Sequence, residues 1–498
     1  MRTGRTGAAL AALFLSFSAF ALDRAAVERL ASDDNDEKIA AVAALAASGD
    51  PQAAGVLEQA AEGEIEIDGR KIEIVVNNRV RGRIAEALAV LRLLSSDKSE
   101  RLAAAKALAG GADAVMLPLI LKAEEKQTDP EIKALLQLAA AGAQLRSEDK
   151  ASRLSAIRLL GSSANPNSKT LLLEAAGDAD QDIRSEAQKS LRAVEGRLAW
   201  GEWLGLAFAG ASLGSILLLA ALGLAITYGL MGVINMAHGE LIMIGAYTTY
   251  VVQGFFRNSP LFDWYLVAAI PAAFAVSAVV GMALERSVIR WLYGRPLETL
   301  LATWGISLVL IQAVRTLFGA QNVQVENPAF MSGGIQVLAN VVLPWNRIFI
   351  IGFAALVLIA MWIVLSKTRL GLYIRGVTQN RPMAACVGVP TSRVDTWAFG
   401  LGSGIAGLAG CALSQIGNVG PELGQGYIVD SFMVVVFGGV GQLAGTVYAA
   451  LVLGFANKLL ESWSGAVLAK IAVLVFIIFF IQRRPQGLFA LKGRAVEA

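Results

Sequence analysis

The chain has 498 residues, 55% of them hydrophobic and 17% charged, with a formal net charge of +3 and a mean hydropathy of +0.56. That is too apolar for an ordinary soluble protein, and no basic patch interleaved with aromatics occurs, so no nucleic-acid partner is expected. The average conceals an asymmetry: residues 23–198 are rich in Ala, Glu, Asp, Lys and Arg, whereas 203–482 run in long uncharged blocks, so a soluble part precedes a membrane part.

At the start, Arg2 and Arg5 precede the apolar run AALAALFLSFSAF, which ends in Ala19-Phe20-Ala21. A charged n-region, a short h-region and an A-x-A site describe a secretory signal peptide over 1–21; the alternative is an uncleaved signal anchor. In either case the downstream residues are exported. The cysteines, Cys386 and Cys411, both lie in the apolar half, so the exported domain has no disulfide and must be stabilised by its own core.

Residues 22–198 are expected to form a periplasmic, helical-repeat domain. Lys38–Leu45, Arg101–Leu108 and Arg153–Leu160 resemble one another, each with an acid just upstream and apolar residues at helical spacing. Asp129-Pro-Glu-Ile-Lys133 and Asp180-Gln-Asp-Ile-Arg184 open further helices in an acid-first order that suits the helix dipole. The pattern is that of short HEAT-type repeats, in which stacked helix pairs bury one continuous apolar seam. One interruption, Glu64–Val76, alternates apolar and polar residues around Asp68-Gly69, the signal of a small β-hairpin. No metal-ligand cluster or nucleophile arrangement appears here, which favours a scaffold or docking surface over an enzyme.

Residues 199–498 read as a polytopic α-helical membrane domain, making the chain all-α apart from the hairpin. Apolar spans lie near 205–230, 234–254, 264–284, 299–319, 347–366, 397–416, 431–458 and 466–482. Arg286, Arg290 and Arg295; Lys367, Arg369, Arg375, Arg381 and Arg393; and Arg483, Arg484, Lys492 and Arg494 mark three cytoplasmic regions by the positive-inside rule. With the C-terminus cytoplasmic, eight straight crossings do not balance. The glycines at Gly438, Gly439 and Gly441, followed by Gln442, resolve this: 431–458 is expected to be one broken or re-entrant element that returns to the outer side.

A second break is expected at Val233–Tyr247, which holds the single histidine of the chain, His238. It also holds Glu240, the sole Asp, Glu, Lys or Arg between Leu204 and Phe256. Paired glycine-interrupted segments mark substrate sites near the midplane of transporters, so Asn235, His238, Gly239, Glu240, Gly438, Gly439, Gly441 and Gln442 are the candidate path or gate. The bland alternative makes Asn235–Glu240 the cytoplasmic turn between the first two spans, with Asn235 capping the second. A lone histidine is rarely a metal site. The chain carries no G-x-x-x-x-G-K-[ST] phosphate loop. Within the loop 367–396, Asn380 can cap a short helix with Pro382 in its first turn and Gly388 with Pro390 ending it. Such a helix is either a knob presented to a separate motor or an interfacial anchor.

Tyr228–Glu240 resembles the signature of the branched-chain amino acid and amide class of ABC transporter permeases. Thr378, Gln379, Asn380, Arg381, Pro382, Met383 and Ala384, with Gly388, resemble that class's ATPase-coupling loop, and Phe437–Thr446 its late glycine-rich segment. Three separated motifs in order cover roughly 203–490. The wording of the coupling loop and the long exported domain are similar to the urea-transporting members. The resemblance implies an importer in the bacterial inner membrane with a second, related permease subunit, two cytoplasmic ATPases that use ATP and Mg, and a periplasmic binding protein. The chain itself would be non-catalytic, hold no cofactor and meet membrane lipid. Branched-chain amino acids or short amides are the alternative cargo, and a passive channel with a receptor domain the alternative class.

Overall fold

A computed structural model describes residues 24–48, 51–67, 70–93, 95–110, 112, 116–338 and 340–489. The expected signal peptide at 1–21, the turn residues Asp68 and Gly69, and the basic residues Lys492 and Arg494 lie outside them. The chain divides into two compact units at Trp200/Gly201.

The first unit comprises α1 (Arg24–Leu30), α2 (Asn35–Ser48), α3 (Pro51–Glu62), β1 (Glu64–Ile67), β2 (Arg70–Glu73), α4 (Asn78–Arg92), α5 (Lys98–Leu108), α6 (Leu117–Lys126), α7 (Pro130–Gln144), α8 (Lys150–Ser162) and α9 (Pro166–Ala175). Short Asx side chains start five of these helices: Asn77, Asp97, Asp129, Asp149 and Asn165 each accept from an exposed amide of the first turn. Leu45, Leu57, Ile84, Leu108, Ile132 and Leu136 share one apolar core, and Ile157, Leu160, Leu172 and Ile183 another. The expected hairpin forms, with Ile65 opposite Ile72 and Glu66 opposite Lys71.

Three of the repeated basic residues share a structural job. Arg101 donates to the Ser95 and Ser96 carbonyls, Arg153 to that of Leu145, and Arg184 to those of Asp178 and Ala179. Each ties down the loop that precedes its own helix, using carbonyls that no helix can satisfy.

The second unit begins within α10 (Gln181–Met231) and continues through α11 (His238–Phe256), α12 (Tyr265–Ser287), α13 (Pro296–Phe318), β3 (Gly334–Leu338), β4 (Val341–Pro344), α14 (Trp345–Lys367), α15 (Arg369–Gln379), α16 (Arg381–Cys386), α17 (Thr391–Ser414), α18 (Gln425–Gly438), α19 (Leu443–Ser464) and α20 (Ala466–Arg483). Among the described residues seven helices are long and apolar enough to cross a membrane: α10, α12, α13, α14, α17, α19 and α20. Helices α14 and α20 present Leu356, Ile359 and Trp362, and Ile471, Val475 and Phe479, on exposed faces, as a hydrocarbon solvent allows. By contrast α17 is almost wholly buried. Its Gly402, Gly407 and Gly410 lie directly against the backbones of α10, α12 and α11, close approaches that a side chain would block.

Two expected spans gain definite helix ends. The segment 431–458 is broken at its glycines, as expected. It is the end of a 14-residue helix, α18, then a turn at 439–442, then α19, whose 22 residues suffice to cross alone. The second expected span, 234–254, starts later, because 232–237 is non-helical after Gly232 adopts φ +64° and α11 begins at His238. The hairpin β3–β4, antiparallel with Ile335 opposite Leu343, was not anticipated.

Candidate translocation site and coupling loop

The α10–α11 break folds back into the bundle. His238 Nε2 lies 2.9 Å from the Ala220 carbonyl, eleven residues before the end of α10. At 1.5 Å per residue that is about 16 Å up the helix, so His238 and Glu240 do not form an end-of-span turn. They sit in the interior, where His238 is fully buried and Glu240 is 2% exposed. A carbonyl only accepts, so His238 Nε2 carries the proton and, in the neutral ring, Nδ1 is an acceptor.

Three successive residues touch three elements. His238 meets α10. Gly239 packs on Gly424, where an added Cβ would lie 2.6 Å from the Gly424 carbonyl oxygen. Glu240 accepts a hydrogen bond from Ser307 of α13 at 2.7 Å. Asn235 does not cap α11 conventionally; its Oδ1 accepts from Ala237 N at 3.1 Å, holding the break. Thr303, one turn before Ser307, accepts from Met236 N at 3.1 Å. Asn235 Nδ2, His238 Nδ1 and Glu240 Oε2 are buried with no protein partner among the described residues. Asn235 and Met236 border a cavity of about 240 Å³ that Leu224, Tyr228, Leu300 and Phe432 also line.

The two glycine breaks do not form one site. Gly229, near the end of α10, meets Gly441, and an added Cβ there would lie 2.5 Å from the Gly441 Cα. That contact is nine residues, or about 13 Å, along α10 from the His238 level. Gly439, at φ +102°, turns the chain under a strap in which the Leu488 and Phe489 amides bond the Phe437 and Gly438 carbonyls. Gln442 is half-buried and leads α19 without a side-chain cap. The glycine that does meet the α11 break is Gly424, before α18. Its signal, the run Gly420–Gly426 with three glycines and a proline, was present in the sequence but lies outside the motif.

The loop 367–396 forms the expected helix. Asn380 caps α16 by accepting from Met383 N at 2.9 Å, Pro382 sits in the first turn, and Gly388 at φ +86° ends it. Thr378 bonds back to the Ile374 carbonyl, Gln379 ends α15, and Ala384 packs inward. Met383 is 60% exposed and Val387 72%. Arg381 points the other way: it pairs with the buried Asp395 and lies 5.2 Å over the Tyr293 ring. Tyr293 donates to Glu285 at 2.9 Å, and Thr396 donates to the other Glu285 oxygen at 2.6 Å. Burial, ahead of the Asp395 and Glu285 carboxyls, pushes the Tyr293 phenol up from its ordinary range, so it stays a donor. Arg381 is therefore an anchor of α16, and the exposed knob is Met383 with Val387. No group of three or more His, Cys, Asp or Glu able to hold a metal occurs among the described residues.

A bundle of apolar helices with an internal break and an exposed, capped loop helix is the architecture of a membrane permease. The family model of the branched-chain amino acid transport system permease component matches residues 206–482, more than half of the chain, and the chain belongs to that family. The high-affinity branched-chain amino acid transport system permease protein LivH of Escherichia coli K12 is 28% identical over 291 residues, 56% of this chain and 93% of its own. BraD of Pseudomonas aeruginosa, of the same description, is 27% identical over 287 residues, with the same coverage. The ribose import permease protein RbsC of Escherichia coli K12 is 28% identical over 201 residues, 39% of this chain and 60% of its own. No solved structure matches the chain.

Proposed function

We propose that this permease subunit carries urea through a binding-protein-dependent ABC importer. The observation that carries the reading is the lining of the α10–α11 cavity, which offers the Asn235 amide among Leu224, Tyr228, Ile234, Met236, Leu300, Ile428, Val429 and Phe432. A cavity lined by one amide among apolar side chains suits a small neutral solute that is held by hydrogen bonds. The wording of the coupling loop and the first unit, which lies outside the family match, support the same cargo. The aliphatic lining favours a second reading, branched-chain amino acids, which is what LivH and BraD are named for.

The working assembly in this reading contains a related permease, two ATPases docked on Met383 and Val387, and a periplasmic binding protein positioned by the first unit. The loop 367–396 faces the cytoplasm, in line with its five basic residues. Uptake of labelled urea and labelled leucine in cells with and without the gene tests the cargo. Loss of urea uptake is expected; loss of leucine uptake with urea uptake intact would refute it.

A further inference from the structure

The inner face of α13 is unlike the rest of that helix. Leu297, Leu301, Trp304, Leu308 and Val309 are exposed, whereas the buried stripe at four-residue spacing is Thr299, Thr303 and Ser307. Hydroxyls on a spanning helix usually turn back on their own backbone. Thr299 donates to the Arg295 carbonyl at 2.8 Å and Thr303 to the Thr299 carbonyl at 2.8 Å. Ser307 does not; its hydroxyl crosses to α11 and donates to Glu240 Oε1.

Along this seam the unpartnered polar atoms follow in order. Asn235 Nδ2 belongs to the segment whose next residue, Met236, is tied to Thr303. Glu240 Oε2 lies at Ser307, one turn or about 6 Å further along α13. The Tyr247 hydroxyl, two turns beyond Glu240 on α11, is also buried and unpartnered, and its ring packs on Phe318 of α13 at 4.7 Å. Buried polar atoms at membrane depth are costly unless a partner satisfies them, so unpartnered ones mark places where a passing solute could supply the missing bond. A donor, Asn235 Nδ2, therefore precedes an acceptor, Glu240 Oε2, by about one helical turn.

We propose that Glu240 Oε2 accepts an N–H of the passing solute while Asn235 Nδ2 donates to its carbonyl, and that Ser307 is the positioning residue that holds Glu240 for this task. The pairing fits an amide with both N–H groups and a carbonyl, and in that respect it rests on the urea reading above. Ser307 fixes one carboxyl oxygen and so leaves the other aimed and free. Without the hydroxyl the carboxyl rotates, and the solute is held less often in the productive arrangement.

The test is uptake of labelled urea, with KM and maximal rate measured separately, in cells lacking the gene and supplied with variants at equal membrane abundance. Ser307→Ala is expected to raise KM about tenfold and leave the maximal rate within about twofold, and Ser307→Thr to restore KM. Ser307→Cys, of similar size but a weak donor, carries the same expectation if the alanine variant fails to reach the membrane. With Ser307 holding the remaining oxygen, Glu240→Gln places an NH2 donor where Oε2 accepted, so a loss of urea uptake of about tenfold or more is expected. KM unchanged in Ser307→Ala or Ser307→Cys, or an equal rise in KM with Ser307→Thr, would overturn the positioning role. If wild-type cells import leucine and not urea, the urea reading and the amide pairing fail. The Ser307 variants are then compared on leucine, where the same split upholds the positioning role and equal KM values refute it.

Discussion

Gly239 and Gly424 show how tightly the site is set by single residues. The first turn of α11 and the segment leading into α18 touch backbone to backbone, and a methyl at Gly424 would overlap the Gly239 carbonyl. Gly424→Ala is expected to cost about 1–3 kcal/mol and to lower the melting temperature of the detergent-solubilised protein. Gly426→Ala, two residues on with nothing within 4 Å of an added Cβ, should leave it unchanged. Equal melting of the two variants would rule out the close approach. Glu240 and His238 belong to the same scale. Their residue types were legible as outliers in an apolar run, but which neighbour each meets was not. Ser307 and Ala220 lie 67 and 18 residues away in sequence.

At the scale of elements, α16 was readable almost residue by residue, because its cap, its first-turn proline and its terminating glycine are local instructions. Its two faces were not readable. Arg381 and Met383 sit two apart, yet one is locked to Asp395 and Tyr293 and the other faces outward. Met383→Ala is expected to lower ATPase association and uptake by roughly fivefold while leaving the protein folded. Arg381→Ala should instead reduce the amount of folded protein, since it strips the partner from buried Asp395. Immunoblots of membranes alongside uptake separate the two effects; loss of folded protein in Met383→Ala would contradict the assignment. The 431–458 segment shows the opposite case. Its glycines announced a break, but a hydropathy run cannot place the helix ends, which the structure sets at Gly438 for α18 and Leu443 for α19.

For the whole molecule, the proposed orientation makes a direct prediction, because Cys386 is exposed on α16 and Cys411 is buried in α17. A membrane-impermeant maleimide is expected to label Cys386 in inverted vesicles and not in intact cells. Labelling in intact cells would reverse the topology. What the sequence by itself determined was the division into a charged helical part and an apolar one, the approximate spans, the hairpin, the cap-defined loop helix α16 and the family motifs. All of these rest on composition, short-range periodicity and local turn chemistry. Only the tertiary structure decided that the α11 break returns to the level of Ala220, that Gly441 meets Gly229 while Gly424 meets Gly239, and that α13 supplies Ser307 to Glu240. The physical reason is that apolar side chains facing lipid and apolar side chains facing protein look alike in sequence. Which helix a small or polar residue packs against is set by close packing between distant segments, and no local pattern encodes it.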